Sequence, residues 1–367
     1  MKLTLPKWYD LHTHLRQDGL LPAIVQSQID MGCCGVLAMP NTKPPVAKVF
    51  KDDPLAYWCI EGYVDLIKRS GGAAFQDIIV PLYLTKDTCA EMIERGAEAG
   101  VLRAAKYYPP HGTTGADFGY PFEEFMSNGV FAALESAGIV LCIHGEEHGM
   151  AADQYFAADS NAEDCFYRER MPRLIERFPA LKVACEHVTT ASAVKFVQGA
   201  GGNVVASVTP QHLLYTIGDL LKGLKYHLYC LPLLKFEEDR AALREAVLDP
   251  ANTKFYAGTD SAAHTVKATE CGCAAGCFTG GIAPQLYAQA FEEAGVDLSS
   301  EAGGKAFESF LCHNGPAFYG LEKPQGTFDL EKKPQAVDVL DTPEGAITPL
   351  PLGLGQNNLV WRCSLTS

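Results

Sequence analysis

The 367-residue chain has no apolar run of the roughly 18 residues that a membrane-crossing helix needs. Its start, MKLTLPKWYDLHTHLR, lacks an apolar core of signal-peptide length, so nothing there suggests export and a cytoplasmic location is expected. Positive charge is scarce: 30 Lys and Arg stand against 44 Asp and Glu, a net charge of −14. No concentrated basic patch offsets it, so the chain should repel nucleic acid. No short fixed repeat recurs. No Gly-x-Gly-x-x-Gly follows the first strand-like run, which argues against an open dinucleotide-binding sheet. Cysteine is not scarce, at thirteen. The chain is too long to need a disulfide framework, and Cys often sits in apolar runs such as CCGVLAMP and IVLCIHGE. Most read as reduced core residues.

What is present is an ordinary globular composition, 47% hydrophobic and 20% charged. The length allows about two domains or one large α/β barrel. Eight short apolar, β-rich runs end in polar residues: 8–16, 34–42, 77–85, 101–109, 138–146, 181–189, 203–212 and 253–264. Segments with helical spacing, such as CAEMIERGAEAG and PFEEFMSNGVFAALESAG, lie between most of them. This alternation predicts a parallel sheet closed into a (β/α)8 TIM-type barrel. From about residue 321 the chain turns rich in Pro, Gly and charge. The barrel is assigned to 1–325, and 326–367 to a C-terminal extension packing on it. Residues 107–120, YYPPHGTTGADFGY, form a Gly-, Pro- and Thr-rich loop that reads as a lid.

Reactive residues cluster where the runs end, the end at which a barrel builds its active site. His12 and His14 close the first run, and their spacing of two puts both side chains on one face of a strand. Lys106 closes the fourth run, His144 the fifth, His187 the sixth and Asp260 the eighth. Four His and a carboxylate converging on one rim make a metal-site composition. The carboxylate suits zinc or manganese, and four imidazoles favour zinc. Lys106 cannot ligate as an ammonium, which has no lone pair. It would serve as a carbamate after reaction with CO2, or else make a salt bridge or contact substrate. His148 and His227 read as surface or hydrogen-bonded histidines.

The motifs DLHTHLR, AMPNTKPPV, AAKYYPPHGTT, CIHGE, EHVTT, TPQHL and GTDSAAH, spanning about residues 8–280, resemble the dihydroorotase family, in its short single-chain form within the amidohydrolase superfamily. HNGPAFYGL at 313–321 extends the match. The resemblance implies two zinc ions per chain. His12 and His14 would hold one with Asp260, His144 and His187 the other, and N6-carboxylated Lys106 and a hydroxide would bridge them. It implies reversible closure of N-carbamoyl-L-aspartate to L-dihydroorotate with loss of water, a step of pyrimidine (UMP) biosynthesis. In the hydrolytic direction the hydroxide attacks the ring amide, and Asp260 carries its proton to the leaving nitrogen. It also implies a homodimer.

Arg16, Asn41 and His264 match the family's contacts to the substrate carboxylate, and Arg16 can grip one with two parallel bonds. Leu231 matches a residue that reads the ring edge with backbone groups. Thr113 and Thr114 match a Thr pair that closes over substrate. In CGCAAGC at 271–277 an extra Ala leaves two candidates for a backbone contact. Anchoring on the following GCF selects Ala275; anchoring on the preceding CGC selects Ala274. Cys271, Cys273 and Cys277 have a zinc-like spacing but no evident fourth ligand. His111 reads as a solvated lid residue, and His212 as one that orients another group by hydrogen bond. Two other readings remain: a hydantoinase- or allantoinase-type enzyme, and a catalytically dead scaffold with the same barrel.

Overall fold

All eight apolar runs contain strand in the computed structural model, which describes residues 1–366. The strands are Trp8–His14, Cys33–Ala38, Asp77–Ile79 continued by Leu82–Tyr83, Ala104–Tyr107, Val140–Ile143, Val183–Cys185, Val204–Val208, and Phe255–Ala257 continued by Ser261–Ala262. All but Asp77–Ile79 are buried along their whole length. Burial on both faces is why they read as continuous apolar runs rather than alternating ones. Adjacent strands pair in parallel and in sequence order, and Ser261–Ala262 returns to pair with Trp8–His14. That is the strand order of a (β/α)8 barrel.

The ladder is not one continuous ring. It divides into a six-stranded and a four-stranded sheet, at the third and eighth strands. Asp77–Ile79 pairs with Cys33–Ala38, whereas Leu82–Tyr83 pairs with Ala104–Tyr107. Pro81 sits at that handover and has no N–H to donate. At the eighth strand the handover runs through Gly258 and Asp260. A Cβ on Gly258 would lie 2.8 Å from Ser207 Cβ and 3.0 Å from His12 Cβ, so only glycine lets the chain pass there.

Helices follow the strands in turn, among them Leu21–Asp30, Ile60–Arg69, Ala90–Glu98, Val130–Ala137, Met171–Arg177, Ala191–Gly199, Glu237–Leu248 and Ala283–Glu293. Ile60–Arg69 shows how they dock: Ile60, Tyr63 and Ile67 form its buried stripe. One core fills the space between strands and helices, and a second, including Tyr9, Leu11, Leu37, Ala104, Val140 and Val205, fills the barrel interior. Among the described residues, no helix is long and apolar enough to cross a membrane.

The C-terminal segment forms short strands, as its composition suggests. Thr327–Glu331 pairs antiparallel with Lys2–Pro6, ahead of the barrel, and with Arg362–Leu365. Buried Trp361 donates its Nε1–H to Glu292 on helix Ala283–Glu293, at 3.0 Å. The hairpin Leu340–Thr342/Gly345–Ile347 presents Glu344, whose carboxylate accepts from the Gly19 N–H at 2.7 Å near the barrel mouth. Ser367, the last residue assigned to the extension, lies outside the described residues.

Candidate active site and metal centre

His12 and His14 lie at the end of the first strand, both buried. A register shift between Asp10 and Thr13 re-aims this strand. Tyr9 and Leu11 join the interior core below it, and His12 and His14 form the ligand group above it. Such an irregularity is a common way to point side chains into a site. Asp260 Oδ1 is 2.9 Å from His14 Nε2 and 3.4 Å from His12 Nε2. One ligand atom from each of His12, His14 and Asp260 lies within 4.8 Å of the others. His144 and His187 stand beside this group: their ring centroids are 4.7 Å apart, and His187 is 4.9 Å from His12. Asp260 and His187 both adopt positive φ, at 48° and 39°. These strained backbones turn their side chains inward at the strand ends.

Buried carboxylates and an amide hold the outer nitrogens of three imidazoles. His12 Nδ1–H donates to Glu186 Oε2 at 2.6 Å, and the same oxygen accepts from the Ser207 hydroxyl at 2.6 Å. His14 Nδ1–H donates to Asn41 Oδ1 at 2.8 Å, and His144 Nε2–H to Glu146 Oε2 at 2.8 Å. Each bond fixes a tautomer and leaves the opposite nitrogen for a metal. Glu163 accepts from the backbone N–H groups and hydroxyls of Thr189 and Thr190, pinning the segment after His187.

Lys106 is fully buried, and its Nζ has no hydrogen-bond partner; neither has His187 Nδ1. The Lys106 ammonium lies 5.0 Å over the Tyr108 ring. Burial pushes the Lys106 pKa down and holds His187 well below the usual histidine range. Burial also works to raise the Asp260 carboxyl, but hydrogen bonds and charge from His12 and His14 outweigh it and hold Asp260 well down. Orphaned polar atoms at such depth are costly. Four imidazoles, a carboxylate and an unpaired lysine amine converge there, a donor set that fits bound metal.

The residues expected to touch substrate come together on one side of this group. Arg16, Asn41, Thr113, Thr114, Leu231 and Ala275 line a cavity with His14 and Asp260. Arg16 has φ +63° and is steadied by the Tyr63 hydroxyl, which donates to its carbonyl at 2.6 Å. Its Nε donates to Ala263 O, leaving the guanidinium end beside His264, 3.3 Å from Nε2. His264 Nε2–H donates to Ala275 O at 2.8 Å. Burial and the Arg16 charge push the His264 pKa down to about 3, so the ring is neutral. Ala275 lines the cavity, whereas the Ala274 carbonyl turns to the Lys267 ammonium.

The cavity measures only about 20 Å³. That is room for about one water. Thr114 Oγ1 reaches Ala275 O at 3.4 Å and closes its roof. A wider cavity of about 450 Å³ lies outside, sharing His14, Arg16, Asn41 and Thr114 and extending to His264 and Glu344. A larger groove of about 640 Å³ runs along helix Ile60–Arg69 on the outer wall. It holds none of these donors, so chemistry rather than size locates the site.

Sequence reasoning missed Glu186, Glu146, Glu163, Tyr63 and Lys267. Lys267 Nζ donates to three carbonyls, Tyr229, Ala274 and Gly276, at 2.6–2.7 Å, and ties together the segments carrying Leu231 and Ala275. Only the acids adjoining His144 and His187 in CIHGE and EHVTT gave a local signal. His212 Nε2–H donates to Pro232 O at 3.1 Å, and its Nδ1 accepts from the Thr209 hydroxyl at 2.7 Å, which steadies the loop after Leu231. His111 is exposed on the loop at 107–120. Cys271 is exposed, Cys273 and Cys277 bond separate backbone carbonyls, and among the described residues these thiols form no metal-type cluster.

No family model matches the chain. It is 40% identical over 363 residues to a curated dihydroorotase of Halorhodospira halophila, covering 98% of each chain. The chain belongs to the dihydroorotase family. As such it is a cyclic amidohydrolase. A solved dihydroorotase of Campylobacter jejuni superposes with a TM-score of 0.81 at 25% identity, covering 99% of this chain and 97% of the other. The Saccharomyces cerevisiae dihydroorotase, solved with 5-fluoroorotic acid, gives 0.85 at 24% identity, over 99% and 98%. An Arthrobacter aurescens L-hydantoinase also superposes, at 0.72 over 98% of this chain and 82% of the other, but at 15% identity it shares the barrel alone. The dihydroorotase reading therefore stands over the hydantoinase and scaffold readings.

Proposed function

We propose that the chain catalyses the reversible cyclisation of N-carbamoyl-L-aspartate to L-dihydroorotate, with loss of water, in pyrimidine biosynthesis. The observation that carries this is the buried group of His12, His14 and Asp260, with Arg16 and His264 on the cavities that His14 lines and a buried, unpaired Lys106, in a chain of this family. We read the centre as one for two zinc ions: His12, His14 and Asp260 would hold one and His144 and His187 the other, and Lys106 would serve both as a carbamate. Such a pair supplies an activated water and polarises the amide carbonyl. Burial favours the neutral Lys106 amine, whose lone pair forms the N–C bond to CO2 with release of a proton.

Asp260 takes the nucleophile's proton in hydrolysis and returns it to the ring nitrogen as the C–N bond breaks. Arg16 and the second amide hydrogen of Asn41 hold the substrate carboxylate, joined by neutral His264 once its single N–H turns from the Ala275 carbonyl to the ligand. Backbone groups at Leu231 read the ring edge, and the Ala275 backbone touches the carboxylate. Thr113 and Thr114 close over the ring and exclude bulk water. A cytoplasmic homodimer is the assembly this reading carries.

The test is a metal-dependent assay of dihydroorotate against hydantoin and allantoin, with metal analysis of the purified chain. The expected result is two zinc per chain and turnover of dihydroorotate only. Hydantoin turnover, or full activity without metal, overturns the reading.

A further inference from the structure

Asn41 touches a proposed metal ligand and the lid at once. Its Oδ1 accepts from His14 Nδ1–H at 2.8 Å, and its Nδ2 donates to the Thr114 carbonyl at 2.9 Å. These two bonds depend on each other. A backbone carbonyl can only accept, so Thr114 requires the amide nitrogen to face it. Oδ1 must then face His14, and an oxygen there requires a proton on His14 Nδ1. That leaves Nε2, the nitrogen facing Asp260, unprotonated for metal. The lid thus dictates the tautomer of the ligand. Donation from Nδ2 also makes Oδ1 a stronger acceptor.

The lid is shaped to sit on this residue. Gly115 has φ +76°, and a Cβ there would lie 3.1 Å from the Asn41 carbonyl oxygen and 3.4 Å from its Cβ. Backbone therefore rests directly on backbone, which glycine alone allows. The Tyr83 hydroxyl reaches the Gly115 carbonyl at 3.4 Å and completes the seat. With the lid seated, the inner cavity of about 20 Å³ is too small for a six-membered ring, so substrate entry must break the Thr114 contacts.

We propose that Asn41 is a positioning latch: one carboxamide holds the lid down and His14 in its metal-binding tautomer, so that lid closure and ligand positioning are one event. This rests on the functional reading above in taking His14 as a metal ligand and the loop at 107–120 as a lid. When the lid lifts to admit substrate, the amide is free to turn, and the hold on His14 slackens until the Asn41–Thr114 contact re-forms.

The test uses the zinc-loaded chain with two readouts, hydrogen exchange of the lid amides at 111–119 and the rate of zinc loss to a chelator. Asn41→Asp sets a carboxylate oxygen against the Thr114 carbonyl but still accepts from His14. Lid exchange should rise about tenfold, the scale of one lost hydrogen bond, with zinc loss no faster than wild type. Gly115→Ala leaves the carboxamide intact and lifts the lid by contact, so both lid exchange and zinc loss should rise. Wild-type lid exchange in Asn41→Asp overturns the latch, and so does faster lid exchange in Gly115→Ala with unchanged zinc loss. The two failures are distinct: a wild-type chain without zinc or dihydroorotate turnover overturns the functional reading, whereas normal lid exchange in zinc-loaded Asn41→Asp, beside an active wild-type chain, overturns the latch alone.

Discussion

Replacing Arg16 with Met tests the carboxylate grip. Met keeps much of the volume but removes the charge and the planar fork. In the structure the Arg16 backbone is held at φ +63° by Tyr63, and its Nε is spent on Ala263 O, so the two terminal nitrogens are the part aimed at a ligand. Truncating one partner of a buried charged pair costs about 2–5 kcal/mol. Two features place this site at the low end. Arg16 is only partly buried, beside the open 450 Å³ cavity, and Asn41 remains as a donor. About 2–3 kcal/mol is expected, or roughly a 30- to 150-fold rise in KM for carbamoyl-aspartate. Turnover should fall less, because Arg16 grips a carboxylate remote from the bond that breaks. The assay is steady-state kinetics in both directions, with zinc content measured on the same sample. Dihydrouracil, which lacks the carboxylate, is the internal control, and its binding as a competitor should not respond to the change. An unchanged KM, or an equal loss of dihydrouracil binding, refutes the assignment.

Lys106→Ala should abolish turnover, and added short-chain carboxylates should partly restore it by replacing the bridging anion; activity near wild type without additive would contradict the carbamate. Burial first, then the Lys235 charge, push the His212 pKa down to about 4. The folded state then binds fewer protons than the unfolded chain between about pH 6.5 and 4, so this stability is full above that window and lost as pH falls through it. The loss should reach about 2 kcal/mol between pH 7 and 5. His212→Gln should flatten that part of the curve in urea unfolding, and identical slopes would exclude the effect. Lys267→Met removes donors from the Tyr229, Ala274 and Gly276 carbonyls. KM should rise about tenfold with both zincs retained, since losing these bonds loosens the Leu231 and Ala275 segments; an unchanged KM would show that the loops hold without it.

Much of this molecule was legible in its sequence because the signals are local. Strands buried on both faces leave continuous apolar runs, and a barrel collects reactive side chains where those runs end. The (β/α)8 order, His12, His14, Lys106, His144, His187 and Asp260 all follow from that rule and from the family motifs. Tertiary structure decided what depends on contacts between distant segments. A register shift after Asp10 re-aims His12 and His14 above the odd-numbered interior residues Tyr9 and Leu11, and periodicity cannot announce a bulge. Pro81 and the Gly258–Asp260 turn split the third and eighth strands between two sheets, although each reads as one run. The N-terminal strand Lys2–Pro6 joins the C-terminal segment through pairs more than 300 residues apart in sequence. Glu186, Glu146 and Lys267 gain their roles from partners that only folding brings near. Asn41 is the sharpest case: its motif suggests a substrate contact, but its carboxamide spans His14, at the end of the first strand, and Thr114, in the loop after the fourth. Sequence determines which groups exist and how strands and helices alternate. Which acceptor each donor finds is decided only when the chain closes on itself, because a hydrogen bond's value depends on geometry and burial that no local pattern records.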